Sequence, residues 1–102
     1  MKLNKAISAL DALAQESRLL IFRLLMEQGE AGLSAGSIAE QLQIAPATLS
    51  FHLSQLSAAR LLESHKEGRS VIYKANVKRV RKLAKFLTAR AAVQEEENAP
   101  LL

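Results

Sequence analysis

The chain has 102 residues, a formal net charge of +4 and 49% apolar residues, but only 4% aromatic ones, which favours one small, mainly helical domain that completes its core by dimerising. It contains no cysteine, which excludes disulfides, thiolate metal sites and cysteine nucleophiles. No apolar run reaches the roughly 18 residues of a membrane span, and the first residues do not resemble a signal peptide, so we expect a cytoplasmic protein that does not contact membranes.

The first 28 residues predict two helices. Residues 3–15 carry Leu3, Ile7 and Leu10 at helical spacing, so these side chains share one apolar face. Residues 16–28 are apolar on most sides, which indicates a largely buried helix. A loop with three glycines then separates this pair from the next elements.

Two further helices follow in quick succession. Ser37 is expected to be the N-cap of the third helix, because Glu40 stands three positions later and would complete a capping box. After a connection of about three residues, Pro46 occupies a position suited to the start of the fourth helix, which we expect to end near residue 59. A short helix, a tight turn and a second helix are typical of a helix-turn-helix motif.

Strand-like alternation begins after this motif. Residues 61–66 and 70–75 predict a β-hairpin with Gly68 in its turn, and a hairpin at this place is typical of a wing. A last helix carries an apolar stripe from Val77 to Ala91. We therefore predict a mainly α, winged helix-turn-helix domain of four helices, a β-hairpin wing and a C-terminal helix over residues 1–92, dimeric, with a disordered acidic tail at 93–102.

Positive charge is concentrated late in the chain. Residues 1–60 contain five basic and five acidic residues, whereas residues 61–92 contain nine basic and two acidic ones, and residues 93–102 add three glutamates. A neutral body with a basic segment suggests a polyanionic partner. A solvated helix face would explain the same charges.

The fourth helix combines an apolar inner face with a small, uncharged outer face. In its sequence, APATLSFHLSQL from residue 45, Leu49, Leu53 and Leu56 fall on one side at about 100° per residue. Hydroxyl and amide groups can pair with base edges in a major groove, and apolar groups can contact thymine methyls. Packing against another protein is the alternative. The predicted DNA-binding residues of the outer face and its flanks are Ala47, Thr48, Ser50, Phe51 and Gln55.

Neighbouring residues have less distinct roles. Phe51 could instead fold sideways onto the adjacent helix, and His52, at the border of the inner face, is expected to be a hydrogen-bonded structural residue. His65 is expected to be an ordinary strand residue. Lys66 and Arg69, with Lys74, make the wing basic, so we predict that Lys66 and Arg69 contact DNA, unless their charge serves only solubility.

Three segments of the chain carry a resemblance to a known family: residues 12–30 (ALAQESRLLIFRLLMEQGE), 37–64 (SIAEQLQIAPATLSFHLSQLSAARLLES) and 66–75 (KEGRSVIYKA). They resemble the ArsR/SmtB family of winged-helix repressors. The resemblance extends over roughly residues 7–90 and is strongest to arsenic-responsive members. It implies a homodimer that occupies a palindromic operator, one recognition helix per half-site, until a ligand loosens binding. It also implies an interface between the first and last helices, for which the expected residues are Leu3, Ile7, Leu10, Leu83 and Leu87.

The chain departs from this family at its sensing sites. Members sense metals or metalloids through cysteine pairs or through His and acidic residues, and similar regulators carry adjacent cysteines where this chain has Ala91 and Ala92. Because the residues of the recognised sensing sites are missing, we expect no metal site and no cofactor, and trivalent arsenic in particular would require thiolates. The inducer is therefore unknown. The chain could sense another small molecule or nothing, answer to a protein partner, or carry engineered replacements of two cysteines.

The main alternative to a DNA-binding repressor is a protein-interaction module. A winged-helix protein-interaction module would use the same helix on a protein partner and would lack a steep salt dependence on DNA. An enzyme is not expected, because the sequence has no paired carboxylates, no nucleophile with a base and no glycine-rich phosphate loop.

Overall fold

Within residues 1–98, which the computed structural model describes (with side chains for residues 1–89), the chain forms five helices and one small antiparallel sheet. In the sheet the third strand of the chain lies between the first and the second, and a 3₁₀ turn at Gly29–Ala31 leads into the first strand. The mainly α, winged helix-turn-helix architecture is confirmed. The helices are α1 (Leu3–Leu13), α2 (Glu16–Gln28), α3 (Ala35–Leu42), α4 (Pro46–Ala58) and α5 (Val77–Asn98), and the strands are β1 (Leu33–Ser34), β2 (Leu62–Glu67) and β3 (Ser70–Ala75).

The core is built mainly from aliphatic side chains. The buried residues of the helix α1 are the small Ala6, Ala9 and Ala12, whose methyl groups allow a close approach to the rest of the protomer, and Leu13 at its end is partly buried against the core. The large apolar residues Leu3, Ile7 and Leu10 are instead exposed to solvent. The other large buried side chains are Ile21, Phe22, Leu25, Ile38, Leu49, Leu53, Leu56, Leu61, Leu62 and Leu83.

The start of α3 differs from the expectation. Its N-cap is Ser34, whose hydroxyl accepts a hydrogen bond from the backbone N–H of Ser37 at 3.1 Å, so the prediction of Ser37 as N-cap was wrong. The reason is the short strand β1, which pairs Leu33 with Tyr73 and holds Ser34 extended. An extended residue that immediately precedes a helix is the conformation that an N-cap requires.

The predicted hairpin is confirmed, with β2 starting one residue later than expected. Glu67 pairs with Ser70, which leaves Gly68 and Arg69 as a two-residue turn. Gly68 has φ = 61°, and a glycine with positive φ at the first turn position matches the right-handed twist of the flanking strands. Arg69 therefore stands at the tip of the wing.

The helix α5 is anchored at its start by Asn76. The Asn76 side chain accepts a hydrogen bond from the Arg79 backbone N–H at 3.3 Å and donates one to the Arg60 carbonyl at 2.9 Å, so it joins α5 to the end of α4. The helix continues to Asn98, so residues 93–98, for which we predicted disorder, are helical, and glutamate is a good helix former. The rest of the predicted tail, 99–102, lies outside the described residues.

The apolar stripe of α5 is divided between core and surface. Leu83, expected in the dimer interface, is only 4% exposed and belongs to the protomer's own core, against which Val80 also packs. The prediction that Leu83 lies in the dimer interface was therefore wrong, because its side chain is buried within the protomer. Leu87, one helical turn later, is 55% exposed. None of the helices in the described part of the chain is long and apolar enough to cross a membrane.

Candidate nucleic-acid interface

The outer face of α4 is fully accessible. All five residues predicted there, Ala47, Thr48, Ser50, Phe51 and Gln55, are exposed. Phe51 is 57% exposed, so it does not fold onto a neighbouring helix, and its ring forms an edge-type aromatic pair with that of His52 at a centroid distance of 5.8 Å. The face thus presents hydroxyls, an amide and one aromatic ring without charge, a combination that suits close approach to base edges.

The N-terminus of α4 is also available. Pro46 occupies the first turn, and Ala45 at the N-cap provides no side-chain hydrogen bond. The first backbone N–H groups of the helix therefore have no side-chain cap, and they carry the positive end of the helix dipole. Such an end favours a nearby phosphate.

The inner face of α4 is positioned by a residue that the sequence analysis missed. Arg18, on α2, donates from Nε to the Ala12 carbonyl at 2.7 Å, and its Nη1 lies 3.4 Å from Nδ1 of His52. Because a guanidinium can only donate, Nδ1 of His52 accepts and its proton is placed on Nε2. The predicted structural role of His52 is confirmed, since its side chain is hydrogen-bonded and only 7% exposed.

The surroundings of His52 favour its neutral form. Burial lowers the pKa of His52 below its ordinary value, and the positive charge of Arg18 lowers it further. The uncharged imidazole therefore connects α4 to the junction of α1 and α2 without adding a buried charge.

The three cations of the wing are not equivalent. Lys66, on β2, and Arg69, at the tip, are exposed, and no carboxylate within residues 1–89 forms an ion pair with either of them. Lys74, on β3, instead lies 2.8 Å from a carboxylate oxygen of Glu30 and 3.5 Å from one of Glu63. The hydrogen bond to Glu30 raises the pKa of Lys74 and lowers that of Glu30. Lys74 is therefore compensated, and the free charge of the wing lies at Lys66 and Arg69.

Much of the basic segment lies on α5 instead of the wing. Lys78, Arg81, Lys82 and Lys85 recur at helical spacing and are all exposed. This positive stripe contributes to the long-range attraction of a polyanion. The charge counts of the sequence could not distinguish it from the wing.

A second exposed surface is apolar. Leu3, Ile7 and Leu10 are exposed on α1, and Leu87 and Phe86 are exposed on α5. We call these five residues the outer apolar face; they include four of the five residues predicted for the dimer interface. Ala91 and Ala92 fall on α5, where side chains lie outside the described residues.

The His, Asp and Glu side chains of the described residues are the candidates for metal ligands. In that part of the chain, no three His, Asp or Glu side chains come together in an arrangement that could hold a metal ion. His65 lies on the exposed edge of the wing, 3.9 Å from a carboxylate oxygen of Glu67.

Taken together, a helix-turn-helix with an exposed, uncharged recognition helix and a free arginine at the tip of an adjacent wing defines a winged-helix DNA-binding protein. Comparison with known proteins agrees with this class. A family model described as a helix-turn-helix domain matches residues 13–65. The transcriptional activator HlyU of Vibrio cholerae serotype O1 is 31% identical over 83 residues, which are 81% of this chain and 74% of that protein.

Solved structures give the same result. An ArsR-like transcriptional regulator from Rhodococcus sp. RHA1 matches with a TM-score of 0.79 and 32% identity, covering 94% of this chain and 88% of that one. The homodimeric winged helix-turn-helix DNA-binding domain of a possible ArsR-family regulator from Mycobacterium bovis matches with a TM-score of 0.71 and 26% identity, covering 92% and 85%. The chain belongs to the ArsR family of winged helix-turn-helix regulators, and it is a DNA-binding transcriptional regulator.

Proposed function

We propose that the protein is a homodimeric repressor that binds a palindromic operator, in the cytoplasm, with one α4 helix in each major-groove half-site. The base-reading residues are Ala47, Thr48, Ser50, Phe51 and Gln55, and Lys66 and Arg69 of the wing contact the DNA backbone or the minor groove. The dimer is formed by the outer apolar face. The proposed protein has no catalytic activity.

The observation that carries this proposal is that two exposed surfaces have compositions that are unusual for surfaces in contact with water. The outer face of α4 lacks charge although it is accessible, and Leu3 and Ile7 on α1 are more than half exposed. Large exposed apolar residues that lie together mark interaction surfaces. A second copy of the chain would cover the outer apolar face isologously and would thereby place two α4 helices about one DNA turn apart.

Operator binding tests the proposal directly. Fluorescence anisotropy with the promoter beside the protein's own gene should give two chains per site and an affinity that falls steeply with salt. A control duplex of scrambled sequence should bind at least about 10³-fold more weakly. Equal affinity for both duplexes, or an affinity that ignores salt, would favour the protein-interaction alternative.

The regulatory direction and the inducer need separate measurements. In vitro transcription from the same promoter should decrease when the protein is added; an increase would make it an activator, as one of its relatives, HlyU, is named. Trivalent arsenite should leave operator binding unchanged, because the chain has no thiol to bind it. Release by arsenite would show that sensing does not require cysteine.

A further inference from the structure

A partly open cavity of about 150 Å³ lies between α3, α4 and β3. Its inner part is formed by Leu49 and Leu53, which are buried in the core, and by Tyr73 of β3. Among the described residues, no charged side chain lines it, and the hydroxyl-bearing residues of its lining are Ser50 and Tyr73. An apolar cavity of about this volume in another protein binds benzene, so the space suits one small ring. A charged ligand would lose its hydration without a counter-charge.

The exposed residues that line the cavity, and so form its mouth, include a glycine. Gly36 lies in α3, outside the left-handed region, and a Cβ added there would meet only Ser34 Oγ, at 3.9 Å. Neither the backbone nor crowding therefore requires glycine at this position, and glycine is a poor helix former. Its effect is to leave space between α3 and the first turns of α4, where Pro46 and Ser50 form the other side of the mouth.

The same mouth adjoins the DNA-binding face. Ser50 is exposed, lines the cavity and is one of the predicted base-reading residues. The N-terminal part of a recognition helix is the part that approaches base edges most closely. A molecule that fills the mouth would therefore occupy space beside Ser50 that an operator also needs.

We propose that this cavity is an effector site for a small, uncharged, monocyclic molecule, and that its occupation weakens operator binding. The coupling rests on the proposed placement of α4 in the major groove, whereas binding of the ligand does not. Because coupling is reciprocal, the operator must weaken binding of the ligand by the same factor.

Binding to the cavity is tested first, without DNA. Phenol is the probe, and glycerol, a polar molecule of similar size, is the control ligand. Titration of the full chain with phenol should give saturable NMR shifts of the Leu49 and Leu53 methyl groups, and glycerol should not. Ala39→Leu, which fills the cavity wall, and Gly36→Leu, which narrows the mouth, should abolish these shifts. The matched control Ala58→Leu adds the same side chain at an exposed position of α4 outside the cavity and should retain them.

Coupling is tested next, by operator binding at saturating phenol. Phenol should raise the apparent Kd for the operator about fivefold or more in the native chain and in Ala58→Leu. In Ala39→Leu or Gly36→Leu, whichever folds, phenol should not change this Kd. Absence of methyl shifts while the operator still binds would overturn the cavity as a site and leave the DNA-binding role intact. Saturable shifts with an unchanged operator Kd would overturn the regulatory coupling. Failure to bind the operator in the absence of phenol would instead refute the proposed function.

Discussion

Two cations of the wing, Arg69 and Lys74, lie five residues apart in the sequence and differ in their ion-pair partners. Arg69 and Lys74 both make the hairpin basic by composition, but Lys74 is held by Glu30 and Glu63 whereas Arg69 is free within the described residues. The number of phosphates neutralised on binding sets the slope of affinity against salt. These two residues should therefore affect that slope differently.

Arg69→Ala should weaken operator binding and reduce the slope of log K against log salt by about one unit. The matched control, Lys74→Ala, should leave the slope nearly unchanged, because its charge is already compensated in the protein. Anisotropy titrations at several salt concentrations would measure both. An unchanged slope in Arg69→Ala would show that the tip of the wing does not touch DNA.

His52 gives the protein a specific dependence of stability on pH. The unfolded chain protonates this imidazole near its ordinary pKa of about 6.5, whereas the folded protein holds the pKa lower because the ring is buried beside Arg18. Below about pH 6.5 the unfolded state therefore binds more protons than the folded state, and the free energy of unfolding falls as the pH falls.

His52→Gln, which keeps an acceptor for Arg18, should remove this decrease between about pH 6.5 and pH 5. Urea unfolding across that range would measure it. The matched control His65→Gln removes an exposed imidazole of the wing and should retain the native decrease. If His52→Gln kept it too, the pH dependence would have another origin.

At the scale of single elements, the join between α2 and β1 depends on two glycines with nearly the same φ but different surroundings. Gly29 and Gly32 have φ of 62° and 63°. A Cβ on Gly29 would meet nothing within 4 Å, whereas one on Gly32 would lie 2.5 Å from the Tyr73 carbonyl oxygen and 2.9 Å from Ile72 Cγ2. Gly32 thus allows β3 to lie directly against the backbone that precedes β1.

Gly29→Ala should cost about 1–3 kcal/mol of unfolding free energy from backbone strain alone. Gly32→Ala should cost about 1–3 kcal/mol more, because the backbone of β3 must move away. Chemical denaturation of the two variants would compare them. Equal losses would show that β3 can shift without cost and that only backbone strain matters.

The elements also show what local sequence could predict. The recognition helix and the hairpin were predictable because periodicity, Pro46 and Gly68 act within a few residues. Arg18 could not be found, because it meets His52 from 34 residues away. Likewise, Glu30 and Lys74 are 44 residues apart. Leu83 and Leu87 lie on one stripe, and only the packing of α5 on the core separates them.

For the whole molecule, the outer apolar face should decide the oligomeric state. Leu87→Asp places a charge on an exposed apolar surface, so the variant should stay folded but become monomeric and bind the operator much more weakly. Leu83→Asp places the same charge in the core and should instead prevent folding. Light scattering and circular dichroism would distinguish the two outcomes. A dimer that persists in Leu87→Asp would move the interface to another surface.

The division of α1 into buried alanines and exposed Leu3, Ile7 and Leu10 also makes the lifetime of the protein depend on its concentration. In the proposed dimer, each chain protects the apolar α1 face of the other, so the free energy of unfolding depends on protomer concentration. Proteases act on the opened chain, and a scarce protein spends more time without its partner. If synthesis of the protein decreased, faster degradation of its unpaired chains would therefore lower its concentration further. The operator would then lose its bound protein more abruptly than the decrease in synthesis alone would cause.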